Sequence, residues 1–164
     1  MKTLYIVRHA KSSWGDLTLP DFDRPLNDRG KKDAPVMAQR LLKKKIQIDQ
    51  FVSSPANRAL KTCKLFCNEF NFPAEKIILV NELYHAPREI FYNVIERFDN
   101  RWESIALFSH NPGITDFVNS LASNVRIDNM PTCAVFAISS PIKNWADFKT
   151  AVKTVLFFDY PKSV

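Results

Sequence analysis

The stretch TLYIVRHAKSSW at residues 3–14 decides how the rest of the chain is interpreted. Within it, residues 4–7 form a short run of β-branched, aliphatic and aromatic side chains, which is typical of a strand buried on both faces of a parallel sheet. Such strands position ligand-binding residues just beyond their carboxyl ends. The run therefore predicts that Arg8 and His9 lie at a ligand-binding edge, although most Arg-His pairs on loops have no function.

A second histidine stands in a matching setting. The run SIALFSH at residues 104–110 is another apolar strand candidate, and it ends in His110. Asn111 and Pro112 follow at once, which predicts a helix with Asn111 as its N-cap and Pro112 as its first residue. Two of the three histidines in the chain are thus expected at strand ends.

The segment SSPANRALKT at residues 53–62 supplies a third element. Residues 50–53 predict a short strand, Ser54 an N-cap and Pro55 the first helical position, so Arg58 projects from the first helical turn. Helix N-termini attract anions, and a cation beside one strengthens that attraction. Two arginines and two histidines are therefore expected to converge on one edge of a sheet, where an arginine can hold two phosphate oxygens and an imidazole can attack phosphorus.

Short apolar runs alternate with helical periodicity along the rest of the chain. This alternation predicts an α/β fold with helices on both faces of a mostly parallel, mixed sheet, a three-layer α/β/α sandwich. There is no internal repeat and no linker rich in Gly or Ser, so we expect a single domain over residues 1–164. Further helices are predicted at about 28–45 and from Pro87, and further strands at 76–80, 133–139 and 151–160.

Composition excludes several classes of protein. Hydrophobic residues make up 46% and charged residues 24%, an ordinary soluble balance. No run is long and apolar enough to span a bilayer and no secretory leader is visible, so we expect a cytoplasmic protein without a membrane partner. Cys63, Cys67 and Cys133 lack paired metal-ligand spacing and are interpreted as buried apolar residues, so neither a metal nor a cofactor is expected.

The formal net charge of +6 suits an acidic phosphoprotein, a membrane or a nucleic acid. The clearest basic cluster is residues 43–45, at the end of a predicted helix, where cations complement the helix dipole without any partner. Basic residues do not alternate with aromatic ones as they do in single-strand binders. A solvated helix end is therefore favoured over nucleic-acid binding.

Four motifs together carry a family resemblance: RHAKSSW, RPLNDRG, SSPANRA and FSHNPG, beginning at residues 8, 24, 53 and 108. In this order they resemble the histidine phosphatase superfamily, and nearly the whole chain is similar to the short SixA-type phosphohistidine phosphatases. The resemblance implies a phosphoglycerate mutase-like fold. It also implies that His9 is the phosphorylated nucleophile, with Arg8, Arg58 and His110 around the phosphoryl oxygens. Position 10 is alanine where the broad signature has glycine, which we interpret as a mark of the SixA-like branch.

Other polar residues have two interpretations each. By resemblance, Glu82 in the segment NELYHA is the candidate general acid for the leaving group, and the alternative is a surface carboxylate or the ion-pair partner of an arginine. Asp16, Asp21, Asp23 and Arg24 lie in a long loop beside the candidate nucleophile, where they either shape substrate entry or hold the loop in place. For Asp23 and Arg24 we favour a structural ion pair. Lys11 and Ser12 either touch phosphate or face solvent.

Substrate choice depends on the short connection after the predicted third strand. Only two residues separate NELY from Pro87, so there is little room for a lid over a small ligand. An open site suits a phosphorylated side chain of another protein, and the resemblance implies phosphohistidine in the histidine phosphotransfer domains of signalling relays, with inorganic phosphate as product. The alternative is a general phosphomonoesterase for small metabolites. A second alternative is a non-catalytic phosphate or nucleic-acid binding module, which would have no need of His9.

Overall fold

The computed structural model describes residues 1–163, and six strands in it form one sheet. They are β1 (Lys2–Arg8), β2 (Gln50–Ser53), β3 (Ile78–Leu79), β4 (Ser104–Ser109), β5 (Val135–Ser140) and β6 (Thr154–Asp159), in the order β3-β2-β4-β1-β5-β6 across the sheet. The first four are parallel to one another, whereas β5 is antiparallel to both β1 and β6. The predicted mixed, mostly parallel sheet is confirmed.

Helices cover both faces of this sheet because alternate strand residues are apolar on both sides. The helices are α1 (Asp28–Lys43), α2 (Asn57–Phe70), α3 (Arg88–Glu96) and α4 (Gly113–Ser120). Tyr5 and Val7 belong to the apolar core beneath α1 and α2, whereas Leu4 and Ile6 belong to the core beneath α3 and α4. The three-layer architecture is therefore confirmed. All three cysteines are free and buried, as predicted.

Two helix starts, those of α2 and α4, were predicted one or two residues too early. α2 begins at Asn57 rather than Pro55, because the Ser54 hydroxyl contacts the ring of His110 and accepts a bond only from the nearby backbone N–H of Ala56. α4 begins at Gly113, and the side-chain oxygen of Asn111 accepts from the Thr115 hydroxyl instead of capping a backbone N–H. In both places the predicted capping side chain is engaged in tertiary contacts.

The third strand is also shorter than predicted. Residues 74–76 form a 3-10 turn, so only Ile78 and Leu79 pair with β2, at an exposed edge of the sheet. Among residues 1–163, no helix has both the length and the apolar character needed to cross a bilayer.

Candidate active site

The carboxyl ends of three parallel strands meet at one edge of the sheet. The registers Arg8 with Ser109 and Ser53 with Phe108 bring the ends of β1, β2 and β4 level with one another. The next residues along the chain are His9, Ser54 and His110. A cavity of about 240 Å³ opens here, and its wall includes three arginines, two histidines and one aspartate: Arg8, Arg24, Arg58, His9, His110 and Asp21. The predicted convergence of two arginines and two histidines is present.

The ring of His9 is held in one tautomer. Its Nδ1 lies 2.7 Å from the carbonyl oxygen of Ala10, which can only accept, so Nδ1 carries the proton. Burial and the neighbouring guanidinium groups of Arg8, Arg58 and Arg24 lower the pKa of His9 to about 3. The imidazole is therefore neutral at pH 7, and its Nε2 keeps a free lone pair.

His110 lies beside His9 and is held through the opposite nitrogen. The two ring centres are 5.2 Å apart, and the His110 Nε2 lies 2.7 Å from the Ser54 hydroxyl oxygen. That oxygen also accepts from the Ala56 N–H, and the hydroxyl has no other acceptor among residues 1–163. Donation from the hydroxyl to Nε2 therefore places the His110 proton on Nδ1. Burial, followed by the charges of His9 and Arg58, lowers the pKa of His110 to about 2.

Arg8 and Arg58 approach the cavity from different elements. Arg8 ends β1 and donates through Nη1 to the Met130 carbonyl at 2.7 Å. Arg58, in the first turn of α2, donates to the backbone carbonyl of Asp21 at 2.8 Å and to its carboxylate at 3.0 Å. Burial and the charge of Arg58 lower the pKa of Arg8. Both guanidinium groups are therefore fixed before any ligand binds.

Arg24 is a third guanidinium at this cavity, where the sequence favoured a purely structural role. The predicted Asp23–Arg24 ion pair is wrong: Arg24 donates to the Ser12 hydroxyl, lies 3.8 Å from the Asp21 carboxylate and stacks 3.5 Å from the centre of the Trp14 ring. Asp23 ends a 3-10 turn and Arg24 begins extended backbone, so adjacency in sequence was a poor guide. The usable signal was the position of Arg24 in a loop between the candidate nucleophile and α1.

The buried side-chain nitrogens without a hydrogen-bond partner are concentrated here. Among residues 1–163 they are the Nε atoms of Arg8, Arg24 and Arg58 and the Nδ1 of His110, and all four residues line this cavity. Buried donors are normally paired, so a cluster of unpaired ones is unusual. Cationic donors in such a cluster suit an oxyanion with several acceptor oxygens.

Two less obvious residues support the loop that carries His9. The Thr62 hydroxyl accepts from the Ala10 N–H at 2.9 Å and donates to the Arg58 carbonyl at 2.7 Å, so it joins the loop after β1 to α2. Gly30 is required by close packing, because a Cβ there would lie 2.2 Å from the carbonyl oxygen of Lys11. The glycine of the RPLNDRG motif thus lets α1 approach the loop. Ala10 itself is fully buried in the core.

Lys11 and Ser12 both line the cavity, and Ser12 is buried.

Glu82 does not line the cavity. It lies on a 3-10 turn, 2.9 Å from Arg97, in a separate groove beside β3. The structure therefore does not bring the expected general acid to the histidines, and it supports the alternative of an ion-pair partner.

The carboxylate at the cavity is Asp21. Its Oδ2 accepts from Arg58 and, at 2.6 Å, from the hydroxyl of Tyr84. These bonds and the charges of Arg58 and Arg24 lower the pKa of Asp21 against the opposing effect of its partial burial, so the group is ionised at pH 7.

This arrangement can bind a tetrahedral oxyanion and receive a phosphoryl group on a neutral imidazole. Within residues 1–163, no group of three or more His, Cys, Asp or Glu side chains is arranged to hold a metal ion.

Comparison with known proteins agrees with this geometry. The family model for the histidine phosphatase superfamily (branch 1) matches residues 4–113, a span that includes His9, Arg58 and His110. An uncharacterized chloroplastic protein from Arabidopsis thaliana is 43% identical over 63 residues, and the match spans 38% of this chain and 29% of that protein.

Solved structures share the whole fold. A SixA-type protein from Agrobacterium tumefaciens superimposes with a TM-score of 0.82 at 22% identity, covering 98% of each chain. The protein histidine phosphatase SixA in complex with tungstate gives 0.82 at 20% identity over 97% of each chain. A mycobacterial glucosyl-3-phosphoglycerate phosphatase in complex with VO3 gives 0.71 at 14%, covering 98% of this chain and 100% of that one. The SixA-like, phosphoglycerate mutase-like fold expected from the sequence is confirmed.

Proposed function

The chain belongs to the histidine phosphatase superfamily, branch 1, and on that premise we propose that it is a phosphatase that carries the phosphoryl group on His9. The observation that carries the proposal is the neutral His9 ring: its Nδ1 is bonded to the Ala10 carbonyl and its Nε2 is free among three guanidinium groups. A nucleophile toward phosphorus needs a lone pair and neighbours that withdraw charge from the phosphoryl oxygens, and His9 has both.

In the first step the His9 Nε2–phosphorus bond forms while the bond from phosphorus to the leaving group breaks. Charge on the three equatorial oxygens is stabilised by Arg8, Arg24 and Arg58, whose Nε–H groups have no protein partner within the described part of the chain. The unpaired Nδ1–H of His110 is a fourth donor for the same oxygens. In the second step water attacks phosphorus, the Nε2–phosphorus bond breaks, and inorganic phosphate leaves.

For the substrate we propose phosphohistidine in proteins. The cavity of about 240 Å³ is smaller than the roughly 300–1,000 Å³ of typical small-molecule pockets, so it suits the phosphoryl group and little of what carries it. Glu82, the acid expected for an ester leaving group, is engaged with Arg97 outside the cavity. A phosphorylated imidazole can arrive already protonated, so it needs no such acid.

The first test traps the intermediate. Incubation with radiolabelled phosphoimidazole, followed by rapid quenching, should leave acid-labile, alkali-stable label on wild-type protein. His9→Gln should abolish it, whereas His85→Gln, which changes an exposed histidine, should keep it. Label that persists in His9→Gln would contradict the assignment of the nucleophile.

The second test ranks substrates. We expect a higher kcat/KM for phosphohistidine protein than for phosphoglycerate or sugar phosphates, measured side by side by phosphate release. Arg58→Ala should lower turnover by about 10²–10³-fold, as is usual when one positioned donor is lost. Arg101→Ala, which removes an exposed arginine paired with Asp99, is the matched control. The reverse substrate order would favour the metabolite phosphomonoesterase, and no turnover of any substrate would favour a binding module.

A further inference from the structure

A carboxylate is an unexpected group in a cavity built from cations. Three arginines and two neutral histidines line it, and Asp21 adds a negative charge that repels a phosphate dianion. Asp23, the last residue of the same 3-10 turn, does not line the cavity. Its place in the cavity wall makes Asp21 a candidate for contact with a ligand as well as an ion-pair partner of Arg58.

Only half of the Asp21 carboxylate is engaged. Oδ2 accepts from Arg58 and from Tyr84, which fixes the group. Oδ1 lies 3.8 Å from a nitrogen of Arg24, beyond hydrogen-bond distance, and accepts no hydrogen bond from residues 1–163. The side chain is 45% exposed, so this oxygen is open to a ligand at the mouth of the cavity.

We propose that Asp21 is a specificity-determining residue whose Oδ1 accepts the N–H of a protonated leaving group, so that the site selects phosphorylated nitrogen bases over phosphate esters. The inference rests on the proposed phosphatase function and deepens it. In a phosphorylated imidazole, one ring nitrogen is bonded to phosphorus and the other can carry a proton. Oδ1 binds that second N–H while phosphorus faces His9.

The chemistry of the step balances with this proton retained. The phosphorus–nitrogen bond breaks, its electron pair returns to the leaving ring, and the proton on the far nitrogen stays where it is, so imidazole leaves neutral. The electron pair of the new bond comes from Nε2 of His9. Asp21 takes up no proton itself. An adjacent carboxylate raises the pKa of the bound cation, so it keeps more of the substrate in the protonated, reactive form as the pH rises.

The same carboxylate repels the leaving group of a phosphate ester. Its oxygen gains negative charge as the bond to phosphorus breaks, and that charge develops beside Asp21. Discrimination then arises from attraction to one substrate class and repulsion of the other. The groups facing Asp21 are Arg58 on α2, Arg24 on its own loop, Tyr84 after β3, and His110 after β4.

The test compares Asp21→Asn with Asp23→Asn on phosphoimidazole and on p-nitrophenyl phosphate, each over a range of pH. Asparagine keeps the shape and can still accept from Arg58 and Tyr84, but it lacks the charge. We expect Asp21→Asn to lower kcat/KM for phosphoimidazole by about 10-fold and to keep or raise kcat/KM for the ester. The alkaline limb of the pH–kcat/KM profile for phosphoimidazole should move down by about one pH unit, the usual lower end of a single-charge effect. Asp23→Asn should match wild type in all three.

Other outcomes overturn the proposal. If Asp21→Asn lowers both substrates equally and leaves the pH profile in place, Asp21 only positions Arg58. If it changes neither substrate, Asp21 has no part in specificity. In both cases wild-type activity on phosphoimidazole leaves the proposed phosphatase function intact. Wild-type protein that hydrolyses the ester but not phosphoimidazole would refute the proposed substrate class itself, together with this role of Asp21.

Discussion

Lowering the pH from 7 to 5 is expected to destabilise the folded protein by about 4 kcal/mol through His9 and His110. Burial is the largest cause that lowers their pKa values from about 6.5 to about 3 and about 2, and neighbouring cationic side chains add to it. In the unfolded chain both rings titrate near 6.5. The unfolded state therefore binds more protons throughout the window between those values, and stability rises with pH there. The contribution is complete above pH 6.5 and is lost as the pH falls toward 3.

The size of the destabilisation depends on how far the pH lies below the pKa of an imidazole in the unfolded chain. At pH 5, protonation stabilises each unfolded imidazole by about 2 kcal/mol, since one pH unit corresponds to about 1.4 kcal/mol. Two rings give about 4 kcal/mol, a large part of the roughly 5–15 kcal/mol that stabilises a typical domain. This result depends only on both folded pKa values lying well below 5. Carboxylates contribute little in this window because they are mostly ionised in both states above pH 5.

The assay is urea unfolding followed by the fluorescence of the three tryptophans, at pH 7, 6 and 5. Wild-type protein should lose about 4 kcal/mol of unfolding free energy, and the double variant His9→Gln/His110→Gln should lose less than about 1 kcal/mol, because glutamine does not titrate. An equal loss in both proteins would refute the reasoning, since the acid sensitivity would then arise elsewhere.

Three further results are expected. Thr62→Val should lower the free energy of unfolding by about 1–3 kcal/mol in urea titrations, because the Ala10 N–H loses its acceptor. Thr62→Ser keeps the hydroxyl and should retain most of the wild-type stability; equal losses in both variants would exclude the hydroxyl as the cause. Gly30→Ala should lower kcat/KM because its methyl would lie 2.2 Å from the Lys11 carbonyl oxygen. Gly15→Ala, whose methyl would lie 3.2 Å from the Ser13 hydroxyl oxygen, should not; unchanged activity in both variants would show that the loop after β1 tolerates the displacement. Phosphate release should persist after dialysis against EDTA, and its loss would point to a metal-dependent step.

The strands and most of the helices could be predicted from local sequence. Continuous apolar runs fix β1 and β4 as strands covered on both faces, and helical periodicity fixes the apolar stripe of α1. The helix starts near Ser54 and Asn111 were misplaced because both side chains bond to distant partners: Ser54 to His110, and Asn111 to Asn129 and the Met130 carbonyl. Propensity at a cap is a local quantity, and it cannot anticipate a competing tertiary bond.

The sequence alone could place four site residues at one edge of the sheet: Arg8, His9, Arg58 and His110. The carboxyl ends of the parallel strands meet at that edge, and the helix that follows β2 begins there. What the sequence alone determined was this topological convergence and the family. Only the tertiary structure decided that Arg24 joins the arginines, that Glu82 pairs with Arg97, and that Asp21 is the carboxylate at the cavity. These three residues lie on loops and short turns, where no hydrophobic periodicity indicates the direction of a side chain. Their orientations depend on contacts with residues that are distant in sequence.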